Sequence, residues 1–250
     1  MTNTVVIDCF PESVSRYQEG FAVAVIDVVR ATTTAITAAA SGRQCFLAAT
    51  LGMALELART HQNALLAGEQ AGIQPPGFDL NNSPAELMAR TDIDRPVILL
   101  SSSGTRLCYE ASKCGAVFLA CLRNYASAAR FLAHFPNVAV IGAGSKNEFR
   151  EEDQMCCAWI AERLLDRGYV PGGRDTLEAV RRWSGKPVDA WLGNKSAAYL
   201  RRSGQLDDLC FILDHVDDLS ASFTLRHGEV CVSEDGAESG TAVTALERSL

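Results

Sequence analysis

Residues 21–34 have the sequence Phe21-Ala-Val-Ala-Val-Ile-Asp27-Val-Val-Arg30-Ala-Thr32-Thr33-Thr34, an apolar run that ends in an acid, a base and three hydroxyls. A run so rich in Val and Ile predicts a strand buried on both faces. The Ala-rich residues 32–41, followed by Gly42, predict a helix directly after this strand. Open α/β sheets bind ligands at the carboxyl ends of their strands, so the β–α junction at residues 27–34 is a candidate site.

The rest of the chain repeats this alternation as far as Gly168. Short apolar runs between helical patterns predict a layered α/β/α fold with a mostly parallel or mixed sheet. Beyond Gly168, three helical patterns follow one another without strands between them, and an alternating stretch at 223–232 predicts a terminal hairpin. We therefore expect an α/β region over residues 1–168 and a mainly helical C-terminal part over 169–232, in the same domain or as a small subdomain. Residues 233–250 are acidic and contain glycine, which predicts a flexible tail.

The composition limits the classes of protein to which the chain can belong. It has 250 residues, of which 48% are hydrophobic, and a formal net charge of −7. Because an acidic chain without a basic stripe binds nucleic acids poorly, we expect no nucleic-acid partner. We also expect a cytoplasmic protein with no membrane partner, since the sequence lacks the pattern of a membrane span or a signal peptide. The apolar helices of the C-terminal part leave room for a homodimer.

Three predicted β–α junctions share one composition. The first junction is residues 27–34, the second is Ser101-Ser-Ser-Gly104-Thr105-Arg106, and the third is Gly142-Ala-Gly144-Ser145. In a parallel sheet all three lie at one edge, where the helix starts offer free N–H groups and a positive dipole end. The first two also offer hydroxyls and an arginine, which suit a phosphate or sulfonate group. The sequence therefore predicts a small anionic substrate at this edge.

Acidic residues are predicted at the same edge. Asp27 ends an apolar strand, and a buried carboxylate is costly unless it is paired or binds a metal. Glu69 ends another predicted strand, whereas Glu152 and Asp153 lie at a predicted helix start, which the helix dipole alone would favour. Since Mg²⁺ is bound through one or two carboxylates plus substrate oxygens, Asp27 with Glu152 or Asp153 is a candidate Mg²⁺ site.

Several motifs occur in an order and spacing that resemble one family. They are Asp27-Val-Val-Arg-Ala-Thr-Thr-Thr34, Gly68-Glu69, Gly77-Phe-Asp-Leu-Asn-Asn-Ser-Pro84, Ser101-Ser-Ser-Gly-Thr105, Leu122-Arg-Asn124 and Glu152-Asp153. Over roughly residues 5–215 the chain resembles the 2-phosphosulfolactate phosphatase (ComB-like) family. The resemblance implies an α/β fold and a Mg²⁺-dependent acid phosphatase. Its reaction converts 2-phospho-3-sulfolactate and water to 3-sulfolactate and phosphate, a step of coenzyme M biosynthesis in methanogens.

The residues and the resemblance together assign roles to the predicted site. We expect Asp27, Arg30, Glu69 and Asp153 to be catalytic, with Arg30 and Arg106 clamping anionic oxygens. The expected metal ligands are Asp27, Glu152 and Asp153. The expected substrate or phosphate contacts are Thr32, Thr33, Thr34, Asp79, Asn82, Ser83, Ser101, Gly104, Thr105, Arg106 and Asn124.

Four questions stay open at the level of the sequence. Ser103 stands where the family usually has Asn, which leaves a non-catalytic small-anion binder or regulatory member as an alternative. Gly142 and Gly144 begin a dinucleotide-binding pattern, although Asn147 occupies the place of its third glycine, so a nucleotide-dependent Rossmann-type enzyme is a further alternative. Family members also occur in organisms that make no coenzyme M, so the substrate is 2-phospho-3-sulfolactate or a similar small phosphorylated acid. Attack by water and attack by an enzyme nucleophile are both open.

Overall fold

A computed structural model describes residues 2–144 and 148–233 of the chain. In these residues ten strands form one mixed sheet. They are β1 (Thr4–Asp8), β2 (Ala22–Ile26), β3 (Cys45–Ala48), β4 (Leu65–Gly68), β5 (Val97–Leu100), β6 (Ala116–Ala120), β7 (Asn137–Gly142), β8 (Val170–Pro171), β9 (Ser222–Arg226) and β10 (Glu229–Ser233). The strand and helix predicted from residues 21–42 are confirmed.

Nine α-helices accompany the sheet in the described residues. They are α1 (Ala31–Ala40), α2 (Leu51–Thr60), α3 (Pro84–Met88), α4 (Gly104–Ala111), α5 (Tyr125–Leu132), α6 (Glu151–Leu165), α7 (Arg174–Trp183), α8 (Lys195–Arg202) and α9 (Leu206–Asp214). A short 3-10 helix at Pro11–Arg16 connects β1 to β2. Within the described part of the chain, no helix combines the length and the apolar character that crossing a bilayer requires.

The C-terminal hairpin lies in the middle of the sheet. The strand order is β4-β5-β3-β10-β9-β6-β2-β7-β1-β8. The strands from β1 to β8 pair with one another in parallel, whereas β9 and β10 pair antiparallel with each other and with β6 and β3. The hairpin thus joins two parallel halves of the sheet. The predicted layered α/β fold with a mixed sheet is confirmed.

Strand β2 lies between two hydrophobic clusters. All five of its residues are buried. Val23 and Val25 belong to the cluster that contains α1 and α4, whereas Ala24 and Ile26 belong to the one that contains α5 and α6. Burying one Val or Ile side chain contributes about 1.5–3 kcal/mol, so both layers stabilise this strand. Its carboxyl end therefore has a well-defined position.

The chain after residue 168 is attached to the rest of the protein at several places. Strand β8 pairs with β1, the hairpin pairs with β3 and β6, and α9 packs on α3 and α8. A boundary at residue 168 stays a prediction, as does homodimer formation. Of the predicted flexible tail, Ser233 ends β10, and residues 234–250 lie outside the described residues, as does Ser145 of the third junction.

Candidate active site

The first and second junctions are in direct contact. Asp27 follows β2, and Gly104 begins α4 at the end of the second junction. A Cβ atom built on Gly104 would overlap Oδ2 of Asp27 and would lie 2.5 Å from Cβ of Ala31. Because any side chain at position 104 would displace the Asp27 carboxylate, this residue has to be glycine.

Asp153 connects the first junction to the third. Its Oδ1 accepts a hydrogen bond of 2.7 Å from the N–H of Val28, and its Oδ2 accepts one of 3.2 Å from the N–H of Ala143. Both oxygens of the Asp153 carboxylate are therefore bonded to backbone N–H groups. The third-junction glycines are also explained by packing, since a Cβ on Gly142 would lie 3.1 Å from that of Asp153 and one on Gly144 would overlap a backbone carbonyl.

A cavity of about 630 Å³ lies beside the three junctions. Its polar lining consists of Glu12, Asp27, Arg30, Glu69, Asn82, Ser102, Ser103, Arg106, Arg150, Lys195, Ser196, Tyr199 and Arg202. Five of these side chains are cationic and three are acidic, although the whole chain has a net charge of −7. An excess of cationic groups in a cleft concentrates anions there, so the cavity suits an anionic ligand.

Asp27 is the buried acid of this cavity. The residue is 6% exposed, and its carboxylate accepts a backbone hydrogen bond from Ala31. Burial raises the pKa of Asp27 to about 7, and the nearby carboxylates of Glu69 and Glu152 add to the rise. A cation bound beside Asp27 would oppose both effects and favour the ionised carboxylate.

The other two predicted metal ligands lie behind the cavity wall. Burial raises the pKa of Glu152, and it raises that of Asp153 well above its ordinary value, with Asp27 and Glu152 adding to the rise in Asp153. Glu152 accepts a hydrogen bond of 2.5 Å from the side chain of Asn194. Among the described residues, no three His, Cys, Asp or Glu side chains converge as a ready-made metal cluster.

Arg30 is held by Asp208, a residue that the sequence did not indicate. Its guanidinium forms a buried ion pair with Asp208 of α9 and donates a hydrogen bond of 3.4 Å to Asn81. Asp208 also accepts hydrogen bonds from the hydroxyl of Ser83 (2.6 Å) and the N–H of Ala85 (3.2 Å). The signal for Asp208 was an acid on the apolar face of a helix, next to Leu209.

Hydroxyls of the first two junctions bond to backbone of the same junction. Oγ1 of Thr32 donates to the carbonyl of Asp27 (2.9 Å), and Oγ1 of Thr33 donates to that of Val28 (2.8 Å). Thr105 donates in the same way to the carbonyl of Ser101 (2.8 Å), whose hydroxyl accepts from the Thr105 N–H. These residues therefore shape the junctions, and their role as substrate contacts stays a prediction.

Further predicted contacts also form hydrogen bonds away from the cavity. Asp79 accepts from the N–H of Leu66 (2.9 Å) on the exposed side of its loop. Ser83 is the N-cap of α3, and its side chain accepts a hydrogen bond from the N–H of Glu86 (3.1 Å). Asn124 precedes α5, but its side chain bonds to the N–H of Cys121 and not to the helix. Of the predicted site residues, the cavity brings together Asp27, Arg30, Glu69, Asn82 and Arg106.

Two lining groups were not anticipated. Ser102 donates to the Glu69 carboxylate through its N–H (2.6 Å) and its hydroxyl (3.0 Å), and Gly72 donates through its N–H (2.6 Å). These bonds fix the start of the long loop, residues 70–82, between β4 and α3. Helix α8 contributes a polar face that includes Lys195 and Arg202. Basic residues seven positions apart on a helix were the available signal, but the sequence did not indicate that this helix borders the site.

The hydroxyl of Ser103 also lies at the cavity. Ser103 is the N-cap residue of α4, yet its side chain forms no capping hydrogen bond, and it contributes to the lining. A polar group is therefore present where the family usually has Asn. Serine at this position has a shorter side chain than asparagine, and it still offers a hydrogen-bond donor and an acceptor.

Comparisons with known proteins identify the family of the chain. A model of the 2-phosphosulpholactate phosphatase family matches residues 9–219. A probable 2-phosphosulfolactate phosphatase of Deinococcus radiodurans is 34% identical over 204 residues, which is 79% of this chain and 83% of the relative. Proteins of the same description from Pseudothermotoga lettingae (34% identical; 75% and 82% covered) and Thermus thermophilus (33% identical; 76% and 81% covered) are also similar. The chain therefore belongs to the 2-phosphosulpholactate phosphatase family, a family of phosphoric monoester hydrolases.

Proposed function

We propose that the protein hydrolyses 2-phospho-3-sulfolactate, or a similar small phosphorylated acid, to the free hydroxy acid and phosphate, with Mg²⁺ as cofactor. The observation that carries the proposal is the buried Asp27 carboxylate at a cavity whose lining has more cationic than acidic side chains. Membership of the phosphatase family supports the phosphoester bond as the one that is broken. The acidic substrate follows from the names of the relatives.

The donor atoms of the cavity fit a magnesium ion. Asn82 is 3% exposed and lines the cavity, and its Oδ1 has no hydrogen-bond partner within the described part of the protein. Together with the carboxylates of Asp27 and Glu69, it offers the hard oxygen donors that Mg²⁺ prefers. The ion would supply positive charge at the phosphoryl oxygens. Asp153 fits this role less well, because it is only 2% exposed and, unlike Glu69, is not among the residues that line the cavity.

The chain itself supplies most of the positioning. Arg30 lines the cavity, and the pairing of its guanidinium with Asp208 keeps the side chain in one orientation. Arg106, which lies 3.0 Å from Glu12, is more exposed and can exchange that partner for a phosphate oxygen. Two guanidinium groups can therefore stabilise the charge that develops on the phosphoryl group. Asp153 keeps the first and third junctions at a fixed separation around them.

Phosphate release tests the proposal. We expect the wild-type protein to release phosphate from small phosphorylated acids when Mg²⁺ is present and to lose this activity in EDTA. Asp27→Asn should lower kcat/KM by roughly 100-fold or more, because the charged cavity carboxylate is lost. Asp214→Asn, which neutralises an exposed acid at the end of α9, serves as the control and should retain activity.

Two results would contradict the proposal. Full activity in EDTA would exclude the metal, and full activity of Asp27→Asn would exclude the assigned carboxylate. Binding of inorganic phosphate without turnover of any phosphorylated acid would instead favour a small-anion binder.

A further inference from the structure

One face of α8 forms a wall of the cavity. Lys195, Ser196, Tyr199 and Arg202 all line it. Residues at i, i+4 and i+7 of a helix share one face, so the first, third and fourth of these point in a common direction. Ala197 and Leu200 lie on the opposite side of the helix and are buried in the core.

This helix is fixed at both ends. Asn194 caps it by accepting a hydrogen bond from the N–H of Ala197 (2.9 Å), and its side-chain N–H₂ group donates to the buried Glu152. Near the other end, the hydroxyl of Tyr199 donates to the carbonyl of Gly72 (2.5 Å) in the loop that follows Glu69. The position of the α8 face is thus tied to the residues around Asp27 and to the long loop.

Arg202 differs from Arg30, Arg106 and Lys195 in the cavity because its charge is not paired with any acid that the structure describes. Arg30 pairs with Asp208, Arg106 pairs with Glu12, and Lys195 pairs with Glu148. Arg202 is exposed at the cavity, and among the described residues it has no hydrogen-bond or ion-pair partner. Its five N–H donors are therefore available to a ligand.

We infer that Arg202 binds the second anionic group of the substrate, the sulfonate or carboxylate, while the junction side of the cavity binds the phosphoryl group. The inference rests on the proposed function. A guanidinium presents a rigid fork that can donate two hydrogen bonds to neighbouring oxygens of a carboxylate or a sulfonate. Ser196 and Tyr199 lie on the same wall and complete its polar surface.

Paired substrates test the role of Arg202. In the complete protein, we expect Arg202→Gln to raise KM for 2-phospho-3-sulfolactate roughly 10- to 100-fold, the range for a lost charged hydrogen bond, with little change in kcat. Hydrolysis of 4-nitrophenyl phosphate, which has no second anion, should be unaffected. Arg202→Lys keeps the charge and should recover part of the lost affinity, though less than wild type because the fork is missing.

Arg201→Gln is the matched control. Arg201 is the exposed neighbour, and it donates to the carbonyl of Leu192 (2.9 Å) outside the cavity lining. The inference is overturned if Arg202→Gln behaves like Arg201→Gln, or if it impairs both substrates equally. It is also overturned if the wild-type protein uses the two substrates equally well, an outcome that leaves the phosphatase activity intact.

Binding measurements separate this inference from the proposed function. If the wild-type protein hydrolyses neither substrate, the proposed function fails, and titration calorimetry with 3-sulfolactate then tests Arg202 alone. Weaker binding to Arg202→Gln than to Arg201→Gln supports the anion-binding wall. Equal affinity of these two variants, or no binding to the wild-type protein, overturns it.

Discussion

The two sides of the cavity use their polar side chains differently. On the junction side, Thr32, Thr105 and Asp153 form hydrogen bonds with the backbone of the junctions. On the α8 side, Lys195 and Arg202 are both exposed; Lys195 pairs with Glu148, whereas the guanidinium of Arg202 has no hydrogen-bond or ion-pair partner among the described residues. The junction side is therefore a rigid frame whose geometry depends on short internal bonds, whereas the α8 side is a surface with charge available for ligands. Substitutions on the two sides should accordingly affect different properties of the protein.

The largest effect is expected at Asp208, which balances the buried Arg30. Asp208→Ala leaves a guanidinium buried without its counter-ion, so we expect the free energy of unfolding to fall by about 3–5 kcal/mol. Urea unfolding measures this change. Asp207→Ala removes the exposed acid beside it and should change stability by about 0.5 kcal/mol or less. Similar losses in the two variants would show that the junction side does not depend on this pair.

The next effect is expected at Gly104, where the first two junctions meet. In Gly104→Ala the new Cβ would overlap Oδ2 of Asp27, so we expect a loss of about 1–3 kcal/mol in stability and at least 10-fold in kcat. Gly115→Ala is the control, since a Cβ placed on Gly115 would have no atom of the described residues within 4 Å. A fully active Gly104→Ala protein would argue against a fixed Asp27.

The pH dependence of stability tests the charge on the junction side. Burial raises the pKa of Asp27 to about 7 from its ordinary value of 3.8, so the folded protein retains a proton that the unfolded chain releases between these values. The stabilisation that comes from this retained proton is fully present below the pKa of Asp27 in the unfolded chain. It is lost as the pH rises through the pKa of Asp27 in the folded protein. In metal-free protein we therefore expect Asp27→Asn to be more stable than wild type at about pH 8, by on the order of 2 kcal/mol, and the difference to disappear at about pH 4.

Thermal unfolding at several pH values measures this difference. Added Mg²⁺ should raise the Tm of the wild-type protein at about pH 8 and leave that of Asp27→Asn nearly unchanged. Parallel pH profiles of the two metal-free proteins would contradict the assignment of a raised pKa to Asp27.

The smallest effect is expected where α8 meets the long loop. Tyr199→Phe removes the hydrogen bond to the carbonyl of Gly72, which contributes about 1 kcal/mol. We expect KM for the doubly anionic substrate to rise roughly two- to five-fold, because the α8 wall is less firmly held, with kcat unchanged. Tyr109→Phe alters an exposed tyrosine of α4 and serves as the control. A change in kcat without a change in KM would contradict a role for Tyr199 in holding the α8 wall.

Local patterns in the sequence predicted most elements of the fold. The apolar run before Asp27 forms the buried strand β2, and the Ala-rich stretch after it forms α1. The resemblance carried by the motifs agrees with the family match over residues 9–219. Asn124 shows the limit of local rules, because its side chain binds the N–H of Cys121 in the preceding loop instead of capping α5.

Contacts between distant parts of the chain could not be predicted. Arg30 and Asp208 are separated by 178 residues, and Glu152 and Asn194 by 42. The sequence predicted a hairpin near the C-terminus, but its insertion between β3 and β6 depends on two sheet edges that form elsewhere in the chain. The same holds for α8, whose position at the cavity depends on contacts with two separate segments, at Gly72 and at Glu152.

The alternation of strands and helices, the edge of the sheet where the junctions meet, and the family could all be read from the chain. These depend on hydrophobic periodicity, turn residues and short motifs, all of which act over a few residues. Which polar groups face the cavity depends instead on tertiary packing. A hydroxyl or a carboxylate can bond to its own backbone or to a ligand, and the choice depends on neighbours brought together by packing. The side chains of Thr32 and Asp153 bond to backbone, whereas Asp27 and Arg202 face the cavity.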